Sequence, residues 1–507
     1  MCSNSCRTFS DFVRARARDA AAFAFAPAAD APLTHAELAA RAADLEATYE
    51  AAGIEPGGIV AFMLPNGLSA VTLFIGTMAA GRIVLPLNLL SQDSQLDHVL
   101  GHAQPRCIFA SDELAARVEA AARRAGVACK VFVTAVNELP VERSGRALRA
   151  RPVEDDPAML MYTSGTTGMP KGVLLTHANM LHAGRAVASH QSLGRDDRVL
   201  SSLPLYHING QCIATVSTFV SGGSVVLPER FSTSQWWSLV ERFRPTWLNL
   251  VPTIVAYLLN GPQLTPLQRE AAAGIGYARS ASAPLPPDQQ RAFESRFGIG
   301  LVEAMGLTEC ASVAFCNPME ARARKLGSAG QPLCIEARVV DSQGRELRDG
   351  ESGEIQVRGP NLMRGYYRSG EGAASALTPD GWFPTGDLGF RDADGFYFIT
   401  GRLKELIIKG GENIAPREID EALLKHAAVL EAAAVGVPDR DYGQEILACV
   451  VVKPDCEADE TALREHCLRE LGRYKTPRYF RFVSELPKGP SGKVQRMKLA
   501  AEKPDGR

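Results

Sequence analysis

The chain has 507 residues, of which 46% are hydrophobic and 22% charged, with 55 Lys and Arg against 57 Asp and Glu. This length exceeds what a single hydrophobic core usually organises, so we expect at least two domains. The ordinary globular composition excludes an intrinsically disordered chain. The near balance of charge excludes a broad basic surface for nucleic acid or for an anionic membrane.

Cysteine usage and the apolar runs indicate a soluble cytoplasmic protein. The eleven cysteines are scattered without a CxxC pair, which favours reduced thiols over a disulfide framework or a zinc site. Residues 1–18 interleave arginines with polar residues and lack the apolar core of an export signal. The most apolar stretches, 68–90 and 212–228, are interrupted by Gly, Pro or polar residues, so neither predicts a membrane span.

The first part of the chain alternates helical and strand-like segments. An alanine-rich stretch from His35 to Ala52 predicts a helix, and apolar runs at Ile59–Leu64 and Ala158–Tyr162 predict strands. Such alternation is typical of a parallel sheet covered by helices. The run at Ala158–Tyr162 leads directly into a loop rich in Ser, Thr and Gly.

The later part of the chain changes character twice. Residues Arg338–Arg358 have the rhythm of short antiparallel strands joined by turns at Gly344 and Gly350. After Lys404 we predict a compact βαβ-like unit with a helix near Arg417–Leu424. The sequence therefore predicts two domains, residues 1–403 and 404–507.

The loop after Ala158–Tyr162 has the chemistry of a polyphosphate site. Its glycines allow backbone N–H groups to close around phosphate oxygens, its hydroxyls add donors, and a lysine adds positive charge. It is not a Walker loop, which requires Gly-x4-Gly-Lys-Ser/Thr. A flexible polar turn is the alternative interpretation. The residues predicted to bind phosphate are Thr163, Ser164, Gly165, Thr166, Thr167, Gly168 and Lys171.

Four motifs, in order along the chain, resemble the acyl-adenylate-forming superfamily of acyl-CoA synthetases, luciferases and peptide-synthetase adenylation domains. They are the loop at 163–172, Gly381-Trp-Phe-Pro-Thr-Gly-Asp387, Gly401-Arg-Leu-Lys-Glu-Leu-Ile407 and Leu486-Pro-Lys-Gly-Pro-Ser-Gly-Lys493. The small-acid branch that contains oxalyl-CoA synthetases is the most similar. The resemblance implies an AMP-forming acid–CoA ligase, which converts a carboxylate and ATP to acyl-AMP and pyrophosphate and then transfers the acyl group to CoA.

The resemblance also implies an α/β fold in two parts. A large amino-terminal domain is expected to combine parallel α/β sheets with a small β-barrel-like unit and to bind ATP and the acid. A small, mobile α+β carboxy-terminal domain is expected to contribute the catalytic lysine. ATP, Mg²⁺ and CoA are the implied cofactors, a small carboxylic acid is the implied partner, and a homodimer stays an open alternative.

The adjacent residues Thr308 and Glu309 supply a hydroxyl and a carboxylate, which suit a phosphate and a magnesium ion. By resemblance, Thr308 contacts the α-phosphate and Glu309 holds Mg²⁺, with Thr163 as a second residue at the metal. Taken alone, a Thr-Glu pair is also typical of a helix cap. Met305 and Gly306 are implied to meet the adenine, although the superfamily commonly has an aromatic residue in place of Met305.

Two further motifs are implied to hold the nucleoside. Asp387 and Arg402 match positions that grip the ribose hydroxyls, a usual role for a carboxylate. Ser282, Ala283 and Pro284 match a segment that lines the adenine with its backbone. Without the surrounding motif, an Asp after a Gly would be interpreted as a turn.

Lys493 is the residue that we predict to catalyse adenylation, because an ammonium on a glycine-hinged loop can stabilise charge on both the carboxylate and the phosphoryl oxygens. Lys404 matches the superfamily's hinge. Gly410 and Gly411 are implied to leave a passage for the pantetheine arm of CoA, the alternative being a turn between strands. His207 matches a position at the edge of the acyl pocket, the alternative being a packed structural residue.

The acyl pocket is expected near Asn209, Arg230, Asn249 and Arg279, and the branch often has a second histidine where Asn209 stands. An arginine that faces the pocket can pair with a second acidic group of a short acid such as oxalate, malonate or sulfoacetate. For both arginines a structural ion pair is the alternative. A fatty or aromatic acid, a carrier protein in place of CoA, and a non-catalytic nucleotide-binding protein are the other hypotheses.

Overall fold

The strands of the chain form two large sheets, a smaller antiparallel sheet and a carboxy-terminal unit. The computed structural model describes residues 5–163, 169–368, 376–453, 456–488 and 494–501. In chain order, its strands are β1 (Ala22–Phe25), β2 (Leu33–Thr34), β3 (Ile59–Met63), β4 (Ile83–Pro86), β5 (Cys107–Ala110), β6 (Lys130–Val133), β7 (Pro157–Thr163), β8 (Lys171–Thr176), β9 (Arg198–Ser201), β10 (Ser224–Val226), β11 (Trp247–Leu250), β12 (Tyr277–Ser280), β13 (Leu301–Met305), β14 (Phe315–Cys316), β15 (Gln331–Pro332), β16 (Glu336–Val340), β17 (Gly353–Arg358), β18 (Gly365–Tyr366), β19 (Phe383–Arg391), β20 (Tyr397–Arg402), β21 (Ile407–Lys409), β22 (Glu412–Ile414), β23 (Val429–Asp439), β24 (Gly443–Val452) and β25 (Tyr479–Phe482).

Helices connect most of these strands. The α-helices are α1 (Phe9–Ala15), α2 (His35–Ala51), α3 (Leu68–Ala79), α4 (Asp93–Ala103), α5 (Asp112–Arg124), α6 (His177–His190), α7 (Ser217–Ser221), α8 (Thr233–Phe243), α9 (Pro252–Leu259), α10 (Pro266–Ala273), α11 (Pro287–Phe297), α12 (Pro416–Leu424), α13 (Glu460–Lys475) and α14 (Arg496–Ala501). A π-helix covers Asn209–Val216. Short 3₁₀ helices cover Thr308–Cys310, Ala321–Ala323 and Leu403–Glu405. Both α2 and α6 begin at a threonine capping box, which satisfies backbone N–H groups at the helix start.

Each large sheet has a parallel centre and antiparallel margins. One has the order β15-β14-β13-β12-β11-β9-β10-β1-β2, and the strands from β13 to β1 run parallel. The other has the order β18-β8-β7-β4-β3-β5-β6, and the strands from β7 to β6 run parallel. Strand β3 is buried at every position, as expected of a parallel strand covered on both faces.

The main hydrophobic core lies between the two large sheets. Phe62 and Phe74 from the amino-terminal half pack in one cluster with Val199, Trp247 and residues of α6 and the π-helix. Helix α3 is buried on almost all sides there, which explains why its apolar sequence is not a membrane span. Helices α8 to α11 cover the outer face of one sheet, and α4 and α5 cover the outer face of the other.

The part after Arg402 has its own strands and its own core. Strands β23, β24 and β25 form one sheet, in which α13 joins the parallel neighbours β24 and β25. Within the described residues, no strand after Arg402 pairs with a strand before it. The boundary at Lys404 remains a prediction, with which this sheet pairing agrees.

The predicted elements are close to the observed ones. The helix predicted from His35 to Ala52 ends at Ala51, the strand predicted at Ala158–Tyr162 is β7, and the helix predicted near Arg417–Leu424 is α12. The antiparallel rhythm of Arg338–Arg358 corresponds to β16 and β17, which belong to a four-stranded antiparallel sheet with β19 and β20. Within the described ranges, no helix combines the length and apolarity that crossing a bilayer requires.

Candidate active site

A cavity of about 270 Å³, called the cleft below, lies where the ends of β12 and β13 face the carboxy-terminal unit. The predicted nucleoside residues that line it are Ser282, Ala283, Pro284, Met305, Gly306, Asp387 and Arg402. Helix α12, the start of β23, Lys488 and Val494 line the opposite side. The cleft is therefore at the carboxyl ends of parallel strands, where open α/β sheets usually bind their ligands.

Asp387 and Arg402 form an ion pair inside the cleft. They are direct partners on the antiparallel strands β19 and β20, and the Arg402 Nε lies 2.6 Å from the Asp387 Oδ1. The Asp387 backbone N–H donates to the Thr385 hydroxyl at 3.0 Å, which in turn donates to the Ile355 carbonyl at 2.7 Å. Asp387 is buried, and a carboxylate is a usual partner for the two hydroxyls of a ribose.

Backbone geometry shapes the predicted adenine side of the cleft. Ser282 has φ +76°, a left-handed conformation that is uncommon outside glycine and that turns the chain sharply after β12. Gly306 follows β13, where a Cβ atom would lie 2.0 Å from the Ser312 carbonyl oxygen. Only glycine fits there, so the close approach of two backbone segments fixes this wall. Met305 lines the cleft beside it.

Glu309 lies on the 3₁₀ helix Thr308–Cys310, where a tyrosine orients its carboxylate. The Tyr366 hydroxyl donates to the Glu309 Oε1 at 3.0 Å, and the Met363 N–H donates to the Glu309 carbonyl at 2.7 Å. Burial raises the pKa of Glu309, and the nearby Arg402 partly offsets this effect. Among the described residues, no cationic side chain is within ion-pair distance of Glu309, which leaves this carboxylate suited to a metal ion.

The predicted phosphate loop is anchored at its two ends. Thr163 ends β7 and Lys171 begins β8, and these two residues are direct partners across the antiparallel pair. The Lys171 ammonium lies 5.2 Å from the centre of the Tyr366 ring, which links this end of the loop to Glu309. His98 Nε2 lies 3.1 Å from the Pro170 carbonyl oxygen. The predicted loop residues Ser164, Gly165, Thr166, Thr167 and Gly168 lie outside the described residues, as does Lys493.

A chain of polar side chains extends from the cleft into the protein. The Asn209 Nδ2 donates to the Ser282 hydroxyl at 3.1 Å, and the Asn249 Nδ2 donates to the Asn209 Oδ1 at 3.1 Å. His207 Nδ1 accepts from the Asn209 N–H at 3.3 Å. Burial lowers the pKa of His207 to about 4, so its imidazole is neutral near pH 7.

The structure separates the two arginines of the predicted acyl pocket. Arg230 is exposed on the segment between β10 and α8. Arg279, on β12, is only 1% exposed and makes none of the ion pairs found among the described residues. Burial lowers the pKa of Arg279. The structural ion pair considered as the alternative for both arginines is therefore not observed for Arg279 in the described part of the chain.

The predicted hinge and passage residues lie on the surface of the carboxy-terminal unit. Lys404 is exposed, in the 3₁₀ helix Leu403–Glu405. Gly410 and Gly411, with φ +56° and +88°, form the tight turn between β21 and β22. This is the turn between strands considered above as the alternative, and two left-handed residues are what such a hairpin requires.

Sequence reasoning missed several residues of the site. Tyr366 orients Glu309, and the buried Glu303 lines the cleft, where burial raises its pKa to about 7. Arg417 and Arg496 also line the cleft. Arg496 is near Lys493 in the sequence, but neither a motif nor a periodic pattern marks Tyr366 or Glu303.

Two family descriptions match most of the chain. The AMP-binding enzyme matches residues 9–367, and the AMP-binding enzyme C-terminal domain matches residues 418–493. A sulfoacetate–CoA ligase from Cupriavidus necator is 53% identical over 472 residues, which cover 92% of each chain. An oxalate–CoA ligase from Arabidopsis thaliana is 33% identical over 484 residues, which cover 92% of this chain and 93% of the relative.

Solved structures have the same fold. ATP-bound MatB from Rhodopseudomonas palustris is 31% identical and has a TM-score of 0.88, over 97% of this chain and 98% of that chain. Apo MatB from the same organism is 30% identical and has a TM-score of 0.76, over 98% of each chain. These matches confirm the predicted mixed α/β fold and the prediction of an AMP-forming acid–CoA ligase. The chain therefore belongs to the AMP-binding enzyme family.

Proposed function

We propose that this ligase activates a short acid with a second anionic group, with sulfoacetate as the first candidate. The cleft supports the ligase chemistry, because it brings residues of the motifs at 381–387, 401–407 and 486–493 to one cavity. The 53% identical relative, named a sulfoacetate–CoA ligase, supports the choice of acid. The buried Asn209 and Asn249 disfavour a long apolar acyl chain. Such a chain would place methylene groups against their amides, which would then lose hydrogen bonds.

In the first half-reaction, a carboxylate oxygen attacks the α-phosphorus of ATP. An O–P bond forms, and the bond to the departing pyrophosphate oxygen breaks. We assign Asp387 and Arg402 to the ribose and Thr308 to the α-phosphate. We assign Lys493 to the developing charge on both reactants, because the flanking residues Lys488 and Val494 line the cleft.

The charge of the cleft supports a requirement for Mg²⁺. Its described lining has six carboxylates, at Glu303, Asp387, Glu405, Asp420, Glu421 and Glu431, and four cations, at Arg402, Arg417, Lys488 and Arg496. Each of the four cations is paired with one of these carboxylates. A triphosphate therefore finds little free positive charge there. When bound, Mg²⁺ would neutralise phosphate oxygens and polarise the attacked phosphorus, with Glu309 and Thr163 as its protein contacts.

In the second half-reaction, the CoA sulfur attacks the acyl carbon. A C–S bond forms, the C–O bond to AMP breaks, and the thiol proton passes to solvent. We infer that the part after Lys404 rotates between the two steps and presents the turn at Gly410 and Gly411 to the pantetheine arm. The higher TM-score with ATP-bound MatB than with apo MatB supports assigning the present arrangement to the first step.

The experiment that tests this function measures two products with purified protein. Pyrophosphate release without CoA and AMP release with CoA would be followed for sulfoacetate, malonate, oxalate, propionate, octanoate and benzoate, with and without Mg²⁺. We expect both products with sulfoacetate or malonate, and none after Mg²⁺ is chelated. Preferred activation of octanoate or benzoate would contradict the proposed acid. Transfer to a holo carrier protein but not to CoA would contradict the proposed acceptor.

We further infer a cytoplasmic location, which several described cysteines support because they are thiols outside any disulfide: Cys107, Cys129, Cys212, Cys310, Cys316, Cys334 and Cys467. A homodimer remains a prediction, and sedimentation velocity over a range of protein concentrations would decide it.

A further inference from the structure

Arg279 is a buried cation that lacks a partner among the described residues. Its side chain is 1% exposed, and its Nε, Nη1 and Nη2 atoms are all buried without a hydrogen bond there. Arg82, which is 4% exposed, shows how this fold satisfies a structural arginine: it donates three hydrogen bonds to the carbonyls of Ile54 and Ala80. Burying a charge without such partners is costly, so Arg279 requires another explanation.

Among the described residues, no carboxylate forms an ion pair with Arg279 or is among the groups that shift its pKa. Its direct partners on the neighbouring strands are Asn249 on β11 and Val302 on β13. Among the described residues, Cys316 and Tyr277 are groups whose negative charge would raise the pKa of Arg279, and both are neutral near pH 7 because burial raises their pKa values. Within the described part of the chain, a bound anion would therefore not compete with a carboxylate for Arg279.

Arg279 is also connected to the cleft. Neighbouring strands lie about 4.8 Å apart, so Asn249 stands beside Arg279 on the same face of the sheet. Asn249 hydrogen bonds to Asn209, which hydrogen bonds to Ser282 at the cleft wall. The Asn249 Oδ1 is a further buried atom without a hydrogen bond in the described part of the chain. Hydrogen-bonded polar side chains thus lead from the cleft to Asn249, which has one unsatisfied oxygen and stands beside Arg279.

We propose that Arg279 recognises the second anionic group of the acid and so determines specificity for short acids with a distal sulfonate or carboxylate. This inference rests on the proposed function. The planar guanidinium offers paired donors that match two oxygens of a sulfonate or carboxylate. An acid without the distal anion leaves this buried cation unpaired, and such mismatches discriminate more strongly than a missing methylene group.

The test compares Arg279→Met with Arg82→Met, which removes the other buried arginine. For wild type and variants, kcat/KM for pyrophosphate release is measured with sulfoacetate and with propionate, and the ratio of the two values is the readout. We expect Arg279→Met to lower this ratio by at least about 100-fold, because a buried charge pair is lost. Arg279→Lys, which keeps the charge without the planar donors, should give a ratio between those of wild type and Arg279→Met. Arg82→Met should keep the wild-type ratio.

Thermal unfolding separates recognition from a structural role. Without ligand, Arg279→Met should unfold at or above the wild-type temperature, because an apolar side chain replaces an unpaired buried charge. Arg82→Met should unfold at a lower temperature, because its carbonyl partners lose their donors. With ATP already present, adding sulfoacetate should further raise the unfolding temperature of wild type but not that of Arg279→Met.

The outcomes distinguish this inference from the proposed function. A wild-type protein that activates propionate but not sulfoacetate or malonate overturns both. A wild-type protein that prefers sulfoacetate, together with an Arg279→Met variant that keeps the preference, overturns the role of Arg279 alone. If Arg279→Met lost kcat/KM equally with both acids and unfolded at a lower temperature than wild type, Arg279 would be a structural residue and the inference would also be overturned.

Discussion

Asp387→Asn is the most direct perturbation of the cleft. The substitution keeps the size of the side chain but removes its negative charge and replaces one acceptor oxygen with a donor nitrogen. That nitrogen would face either a ribose hydroxyl or the Arg402 Nε, which now lies 2.6 Å from the Asp387 Oδ1. We therefore expect weaker use of ATP without a change of fold.

The expected size follows from the burial of this carboxylate, whose side chain is 3% exposed. A hydrogen bond to a charged group contributes about 1.5–3 kcal/mol, and burial keeps water from replacing it. Loss of one such bond to the ribose corresponds to a decrease of roughly 10- to 150-fold in kcat/KM for ATP. The kcat/KM for the acid, measured at saturating ATP, should change less, because we assign Asp387 to the ribose and not to the acid.

The assay is pyrophosphate release at varied ATP and saturating acid. Asp380→Asn is the matched control, because Asp380 is 56% exposed, forms its ion pair with Arg338 at 2.9 Å and does not line the cleft. That variant should stay within about twofold of wild type, since surface ion pairs contribute little. A change of less than threefold in kcat/KM for ATP in Asp387→Asn would refute the assignment of Asp387 to the ribose.

Three further predictions concern other parts of the site. Lys493→Ala should lower the rate of adenylation by at least about 100-fold, while the rate of acyl transfer from supplied acyl-AMP to CoA changes much less. Lys498→Ala, at an exposed lysine, should change neither rate, and an equal loss of both rates in Lys493→Ala would contradict the role of Lys493. At Gly410, φ is +56° and a Cβ would lie 3.2 Å from the Tyr474 hydroxyl. Gly410→Ala should therefore slow thioester formation but not pyrophosphate release, and a variant slow in both steps would contradict the proposed passage for the pantetheine arm. Burial raises the pKa of Glu303 to about 7, so the folded protein holds this proton more tightly than the unfolded chain does. The free energy of unfolding should therefore fall by up to roughly 3 kcal/mol as pH rises from about 4.5 to 7. Urea unfolding of Glu303→Gln should lack this decrease, and parallel pH profiles of wild type and variant would exclude it.

The motifs pointed to residues that the structure brings together in the cleft, because each motif carries its own local chemistry. Asp387 and Arg402 each follow a glycine in a distinctive string, and the pairing of β19 with β20 makes them neighbours. The fold class followed from alternating helix and strand patterns, since periodicity is written in local sequence.

Contacts that depend on distant strand pairing could not be predicted. Tyr366 reaches Glu309 across 57 positions because β18 adds to the edge of the sheet beside β8. For Arg279, the sequence left both a pocket residue and a structural ion pair open, because the partner of a charged side chain is chosen by the tertiary structure. Gly410 and Gly411 had two interpretations for a similar reason, since a hairpin turn and a ligand passage both favour residues without a side chain.

The ion pairs of the cleft are arranged in a way that favours the proposed rotation at Lys404. Each pair whose partners are described joins residues on one side of Lys404. Asp387 pairs with Arg402 before it; after it, Arg417 pairs with Glu421, Lys488 with Glu431, and Arg496 with both Asp420 and Glu405. Rotation would therefore keep all of these pairs, and would avoid the large cost of separating buried charges.

The polar contacts that rotation would break are weaker. One is the hydrogen bond from the Arg417 guanidinium to the Ile399 carbonyl, and another is the Lys488 ammonium, 5.7 Å from the centre of the Tyr257 ring. Contacts of these kinds each contribute on the order of 1 kcal/mol, which differential binding of substrates to the two arrangements can offset. A cleft that keeps its charges paired on each side can thus open after adenylation without exposing an unpaired buried ion, while Arg279 stays within the amino-terminal sheet and keeps its position relative to the acid.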